Sequence, residues 1–103
     1  MGEPDSKAAR RAARDRVAAY HQEQLGRLLE HVREGFARYD AAELDAFELD
    51  DVIHQYTRSA RELWKFCELT GSRALRAAGT LDYWAREGEE PDWWERGAPR
   101  PRR

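Results

Sequence analysis

The stretch RYDAAELDAFELDD, residues 38–51, decides the fold. From residue 40 onward it carries six carboxylates and no basic side chain. Two carboxylate pairs lie three residues apart, Asp40 with Glu43 and Asp45 with Glu48. In such a capping box the first oxygen accepts the backbone N–H of the Glu, and the Glu side chain accepts the N–H of the capping residue. Asp45 with Glu48 is the better pair, because Leu49, Val52 and Ile53 follow at helical spacing. Asp50 and Asp51 then fall in the early turns, where the helix dipole favours negative charge. The acidic block is thus explained as a helix start, with a short connection over 40–45 before it.

Upstream, the pattern predicts a helix over 5–39, capped by Asp5 or Ser6. Its apolar stripe reads Val17, His21, Leu25, Leu28, Val32, Phe36 and Tyr39, in steps of three and four. Residues 7–16 offer only Ala as apolar side chains, so that turn is helical by propensity rather than burial. Downstream, a helix is expected over 46–70 with a stop at Gly71. Its inward stripe is Leu49, Val52, Ile53, Tyr56, Ala60, Leu63 and Cys67, with Trp64 and Phe66 flanking it. Two long helices joined so closely must pack antiparallel. Equal rise on both arms makes facing residue numbers sum to about 86.

A short helix is expected from Ser72 to Gly79, and another over 81–87, capped by the Thr80 hydroxyl and ended by Gly88. The chain therefore reads as all-α, a long antiparallel two-helix hairpin with one or two short C-terminal helices. It divides into a basic, Ala-rich helical extension (1–16), the helical domain (17–88) and an irregular tail (89–103) containing Trp93 and Trp94.

Composition narrows the class. Of 103 residues, 41% are hydrophobic, but 16 are Ala and only 16 are Leu, Ile, Val or Phe. Four Trp, four Tyr and a net charge of only −2 argue for a folded chain with a thin core rather than a disordered one. Thin cores in small chains are often completed by a partner or a second copy. Arg outnumbers Lys 16 to 2 and Asn is absent, the signature of a GC-rich coding sequence, which weakens any argument from Arg runs. A single Cys forbids an intrachain disulfide. No apolar run approaches the ~20 residues of a membrane span, and residues 1–16 lack the apolar centre of a signal peptide. A cytoplasmic setting is expected, with no membrane association.

Four sets of residues invite a functional reading. Asp51 and His54, with Glu30 and Glu34 across the hairpin, have the spacing of helical di-metal ligands. At about 100° per residue, however, His54 and Glu30 point to opposite outer surfaces, so no metal site is assigned. His21 and Cys67 could meet across the hairpin, and a His beside a thiol can activate it. They lack an orienting third group, so a core His and a small hydrophobic Cys are the plainer account. Lys7, Arg10, Arg11 and Arg14 form a ridge able to neutralise phosphates. Against that, the chain is mildly acidic overall and carries no DNA-reading motif. Leu29, Trp64 and Phe66 flank the inward stripes, and Trp93 and Trp94 sit in the tail; large exposed aromatics mark partner surfaces. No Walker loop, dinucleotide fingerprint, HExxH, CxxC or calcium loop is present, and no cofactor is expected.

The segment ELDAFELDDVIHQYTRSARELWKFC, residues 43–67, resembles uncharacterised short α-helical proteins of high-GC Gram-positive bacteria. The resemblance covers about a quarter of the chain. It implies the hairpin and a bacterial cytoplasmic setting, and carries no activity.

The expected function is a non-enzymatic interaction or regulatory module, acting by self-association as a homodimer or by docking on a protein partner through Leu29, Trp64, Phe66, Trp93 and Trp94. One alternative is a nucleic-acid-associated regulator using Lys7, Arg10, Arg11 and Arg14. The other is a thiol sensor or enzyme using Cys67 and His21.

Overall fold

The computed structural model describes residues 6–68 and 72–100, and among them there are four helices and no strand. Helix α1 spans Lys7–Asp40, α2 Ala46–Cys67, α3 Ser72–Glu87 and α4 Trp93–Arg96. Ser6 caps α1, its Oγ accepting the Ala9 N–H at 3.1 Å. The other proposed cap, Asp5, and the proposed stop at Gly71 lie outside the described residues. α1 ends in a tight turn in which Ala42 adopts φ 63° and Glu43 N–H reaches back to the Arg38 carbonyl at 2.8 Å. The Asp45 box then starts α2 as its sequence demands. Glu48 N–H donates to Asp45 Oδ1 at 2.8 Å, and Asp45 N–H donates to Glu48 Oε1 at 3.0 Å. A cap of this kind contributes about 1 kcal/mol.

α1 and α2 form the antiparallel hairpin. Of the expected α2 stripe, Leu49, Leu63 and Cys67 are buried, Val52, Tyr56 and Ala60 are half-buried and Ile53 is exposed, while Ser59, outside that stripe, is buried. The α1 side is rotated from the expected stripe. The residues that α1 buries are Ala13, Val17, Gln24, Leu28 and Gly35. Gly35 sets the pitch of this contact, because a Cβ there would lie 3.1 Å from Val52 Cγ1. The small residues let the helices approach and turn Phe36 and Tyr39 outward, both of which stay more than 40% exposed.

α3 is one continuous helix where two short ones were expected. Gly79 does not interrupt it, and the Thr80 hydroxyl donates to the Arg76 carbonyl at 3.1 Å inside the helix instead of capping a new one. Gly88, at φ 67°, ends it as expected, its N–H bonded to the Trp84 carbonyl at 2.7 Å. α3 packs along the first half of α1, where Ala74, Ala77 and Leu81 are buried and Arg16 pairs with Asp82.

Residues 89–100 fold back rather than trailing as an irregular tail. Asp92 caps α4 through Glu95 N–H at 3.2 Å. α2 then takes up the carbonyls that end α4: Gln55 Nε2 and Ser59 Oγ donate to Trp94 O at 3.0 and 2.9 Å, and Arg58 Nε donates to Gly97 O at 2.7 Å. The chain is long and narrow, 60 × 32 × 24 Å, with a radius of gyration of 17.1 Å against about 13 Å for a compact chain of this length. The closed half of the hairpin projects beyond α3 and α4.

Gly97 and Gly79 give opposite expectations. A methyl on Gly97 would run into Ser59 Oγ and backbone N and lie 2.7 Å from the Gln55 carbonyl, whereas nothing lies within 4 Å of one on Gly79. Gly97→Ala should destabilise by about 1–3 kcal/mol, as overpacking does. Gly79→Ala should stabilise by about 0.5–1 kcal/mol, as for any open helix interior. Urea unfolding of the two variants reads both signs at once; equal shifts would refute this packing of α4.

Candidate interaction surface

α3 and α4 both lie on one broad face of the hairpin. On α1 they meet Arg16, Tyr20 and His31, through Asp82, Trp84 and Trp94. On α2 they meet Gln55, Ser59 and Phe66. The centre of this covered face is aromatic. Trp93 is buried, with its ring centroid 5.8 Å from Phe66 and 6.4 Å from Trp84. Its indole Nε1–H donates to Tyr20 Oη at 2.7 Å. Trp94 is half-buried and stacks on His31, centroids 4.2 Å apart and planes 3° from parallel. Phe66, Trp93 and Trp94, expected at a partner surface, therefore serve the protein's own packing. Adjacent Trp93 and Trp94 can both be covered because a helical turn sends one between α1, α2 and α3 and the other over α1.

The opposite face is open. At about 100° per residue, the flank of α1 turned away from α3 and α4 carries Leu25, Leu29, Val32 and Phe36. The matching flank of α2 carries Ile53, Ala60 and Trp64. Leu29, Phe36, Tyr39, Ile53 and Trp64 are each 37–51% exposed, and of the large exposed hydrophobics among the described residues only Phe47 and Tyr83 lie elsewhere. Leu29 and Trp64 thus stand where the sequence placed them, on an uncovered surface. Phe36, Tyr39 and Ile53 were missed because they had been assigned to the inward stripes.

The remaining candidates separate. Cys67 is buried, and burial pushes its thiol up to about 11, the reverse of activation. His21 makes no hydrogen bond to it. His54 Nδ1 lies 2.9 Å from the Asp50 carbonyl and 3.3 Å from Asp50 Oδ2, an exposed contact within one helix. Among the described residues no three His, Cys, Asp or Glu side chains converge to hold a metal. No helix among them is long and apolar enough to cross a membrane. Lys7, Arg11 and Arg14 are exposed and carry no ion pair among the described residues, whereas Arg10 is half-buried and engaged. On α1, Lys7, Arg11 and Arg14 lie on the same flank as Leu25, Leu29 and Phe36. A cleft of about 330 Å³ beside α4, reached by the buried Gln24, is lined by charges of both signs, Arg27 against Glu90 and Asp92.

Two measurements check this assignment of buried groups. Cys67 should react with an aromatic disulfide slowly in the native protein and at the rate of a free thiol in denaturant; fast native labelling would overturn the burial. Tyr20 is pushed up to about 12, first by burial and then by Glu90, against the lowering effect of the Trp93 hydrogen bond. The unfolded chain releases this proton near 10.0 and the folded one near 12, so between them the unfolded state binds fewer protons. Stability should hold below pH 10.0 and fall through that window, and Tyr20→Phe should remove part of the fall. Identical urea midpoints against pH for the two proteins would sink the assignment.

No family model, no curated protein and no solved structure matches this chain, so its own geometry carries the functional reading.

Proposed function

We propose that the protein is a non-enzymatic interaction module that docks its open hairpin face on a protein partner. One observation carries the reading. Leu29, Phe36, Tyr39, Ile53 and Trp64 all lie on one side of the hairpin, while α3 and α4 pack on the other. Scattered exposed hydrophobics are ordinary, but an apolar strip across the adjacent flanks of two antiparallel helices is the form of an unfilled helix–helix interface. Leaving such side chains in water forfeits about 1.5–3 kcal/mol for each one that a partner could bury fully. The thiol reading is disfavoured by the buried Cys67. The nucleic-acid reading is disfavoured because Lys7, Arg11 and Arg14 run directly into the apolar strip rather than into a wider basic surface. A single free thiol is compatible with a reducing cytoplasm.

The test is position-specific photo-cross-linking in the producing cell. A benzophenone side chain replacing Leu29 or Trp64 should yield a discrete protein adduct, and one replacing Phe47 or Tyr83, exposed outside the face, should not. Adducts of equal yield from all four positions, or from none, would overturn the reading.

A further inference from the structure

We infer that the partner on this face is a second copy of the same chain, packed antiparallel about a two-fold axis that crosses α1 between Leu25 and Leu29. The inference rests on the proposed docking role of the open face and specifies its occupant. Its basis is the order of residues along one flank of α1. From the start of the helix that flank reads Lys7, Arg11 and Arg14, then Ala18, Gln22, Leu25, Leu29, Val32 and Phe36, and finally Asp40. It is basic at one end, mainly apolar in the middle with Gln22 the polar exception, and acidic at the other.

Such a surface is complementary to itself only when reversed. Two helices related by a perpendicular two-fold axis bring residue i of one level with a residue whose number completes a fixed sum, because both rise at the same rate. With the axis between Leu25 and Leu29, Leu25 of one copy lies level with Leu29 of the other. In the same register the large Phe36 lies level with the small Ala18. Arg14 then lies level with Asp40, and Arg11 reaches past the end of the partner's α1 toward its acidic turn. All these side chains except Leu25 are exposed, and Arg11, Arg14 and Asp40 have no ion-pair partner among the described residues. A parallel arrangement would set Arg14 against Arg14 and Asp40 against Asp40, which like-charge repulsion opposes.

Two further features fit a second copy. Trp64 and Ile53 on α2 flank the same strip, so face-to-face pairing of two hairpins makes a four-helix bundle with knobs from both helices. The strip from Ala18 to Phe36 is about 27 Å long and two helices, about 20 Å, wide, or roughly 540 Å² per copy. With the charged rims it approaches the ~800 Å² per partner of a standard stable interface.

Sedimentation equilibrium of the full chain across micromolar concentrations, with the Leu29 cross-link as a second readout, tests this. The wild type should move from the 12.0 kDa monomer to twice that mass, and the Leu29 benzophenone adduct should be the chain joined to itself. Leu29→Glu should be monomeric with an unchanged helical circular dichroism spectrum. Arg14→Asp and Asp40→Arg should each weaken the dimer about tenfold, since each turns two attractive rim pairs repulsive. The double variant should return to within about threefold of wild type, because the reversed register restores both pairs with exchanged signs. A dimer indifferent to these charges, or one the double swap fails to restore, overturns the antiparallel register and with it the inference. A wild-type monomer whose Leu29 adduct is a different protein overturns the second copy but leaves the docking role standing. A monomer without any adduct removes both.

Discussion

Trp93 fixes the sidedness of the molecule. Its ring sits among Tyr20 of α1, Phe66 of α2 and Trp84 of α3, and its indole N–H is satisfied by the Tyr20 hydroxyl. With Tyr20, Phe66 and Trp84 it forms the aromatic cluster in which all four helices meet. A buried indole without a hydrogen-bond partner is costly, so Tyr20 holds the ring at a definite depth as well as supplying area. Because α3 and α4 converge on this ring, both must lie on the same face of the hairpin. The other face is left bare by the same geometry, without any further cause.

The fold is held together where small residues meet, and this has a consequence for the large ones. Gly35 lies against Val52, Gly97 against Ser59, and Ala13, Ala74 and Ala77 are buried. Close helix approach at these points uses dispersion contacts and backbone proximity rather than bulky side chains. Phe36, Trp64 and Leu29 are then displaced to the flanks. A monomer optimised only for its own stability would place them inward. Their outward position on one face is the physical basis for assigning that face a partner.

Much of the architecture was legible in the sequence, for identifiable reasons. The Asp45–Glu48 box, the α2 stripe and the Gly88 stop are local signals whose chemistry does not depend on tertiary context. The rotation of α1 was not legible, because periodicity weighs Leu, Val, Phe and Tyr as buried and passes over Gly35, Ala13 and Gln24. A glycine within a helix reads as a weakness until the Val52 methyl opposite it is known. The continuity of α3 was missed for the same reason. Gly79 next to Thr80 mimics a stop and a cap, yet the preceding Arg76 carbonyl supplies the Thr80 hydroxyl with a partner inside the helix. Of the surface candidates, Leu29 and Trp64 are exposed as their places on the flanks of their helices suggest. Phe66, Trp93 and Trp94 could not be told from them, because a flank does not declare which of its two sides a later helix will cover.

Charge on α1 acquires a meaning only once that covered side is known. Read along the chain, Lys7, Arg11 and Arg14 suggest a phosphate-binding ridge and Asp40 a mere helix end. Read along the open flank, they are the two ends of one apolar strip, and opposite in sign. Lys7 in the first turn of α1 and Asp40 at its end both oppose the macrodipole, each at a cost of about 0.3–1 kcal/mol. Among the described residues neither end gains an ion pair: those at Arg16, Arg27, Arg33 and Arg38 leave these side chains out. An arrangement locally unfavourable at both ends of one helix, yet mutually complementary on reversal, is better explained by what lies across the flank than by anything within the monomer.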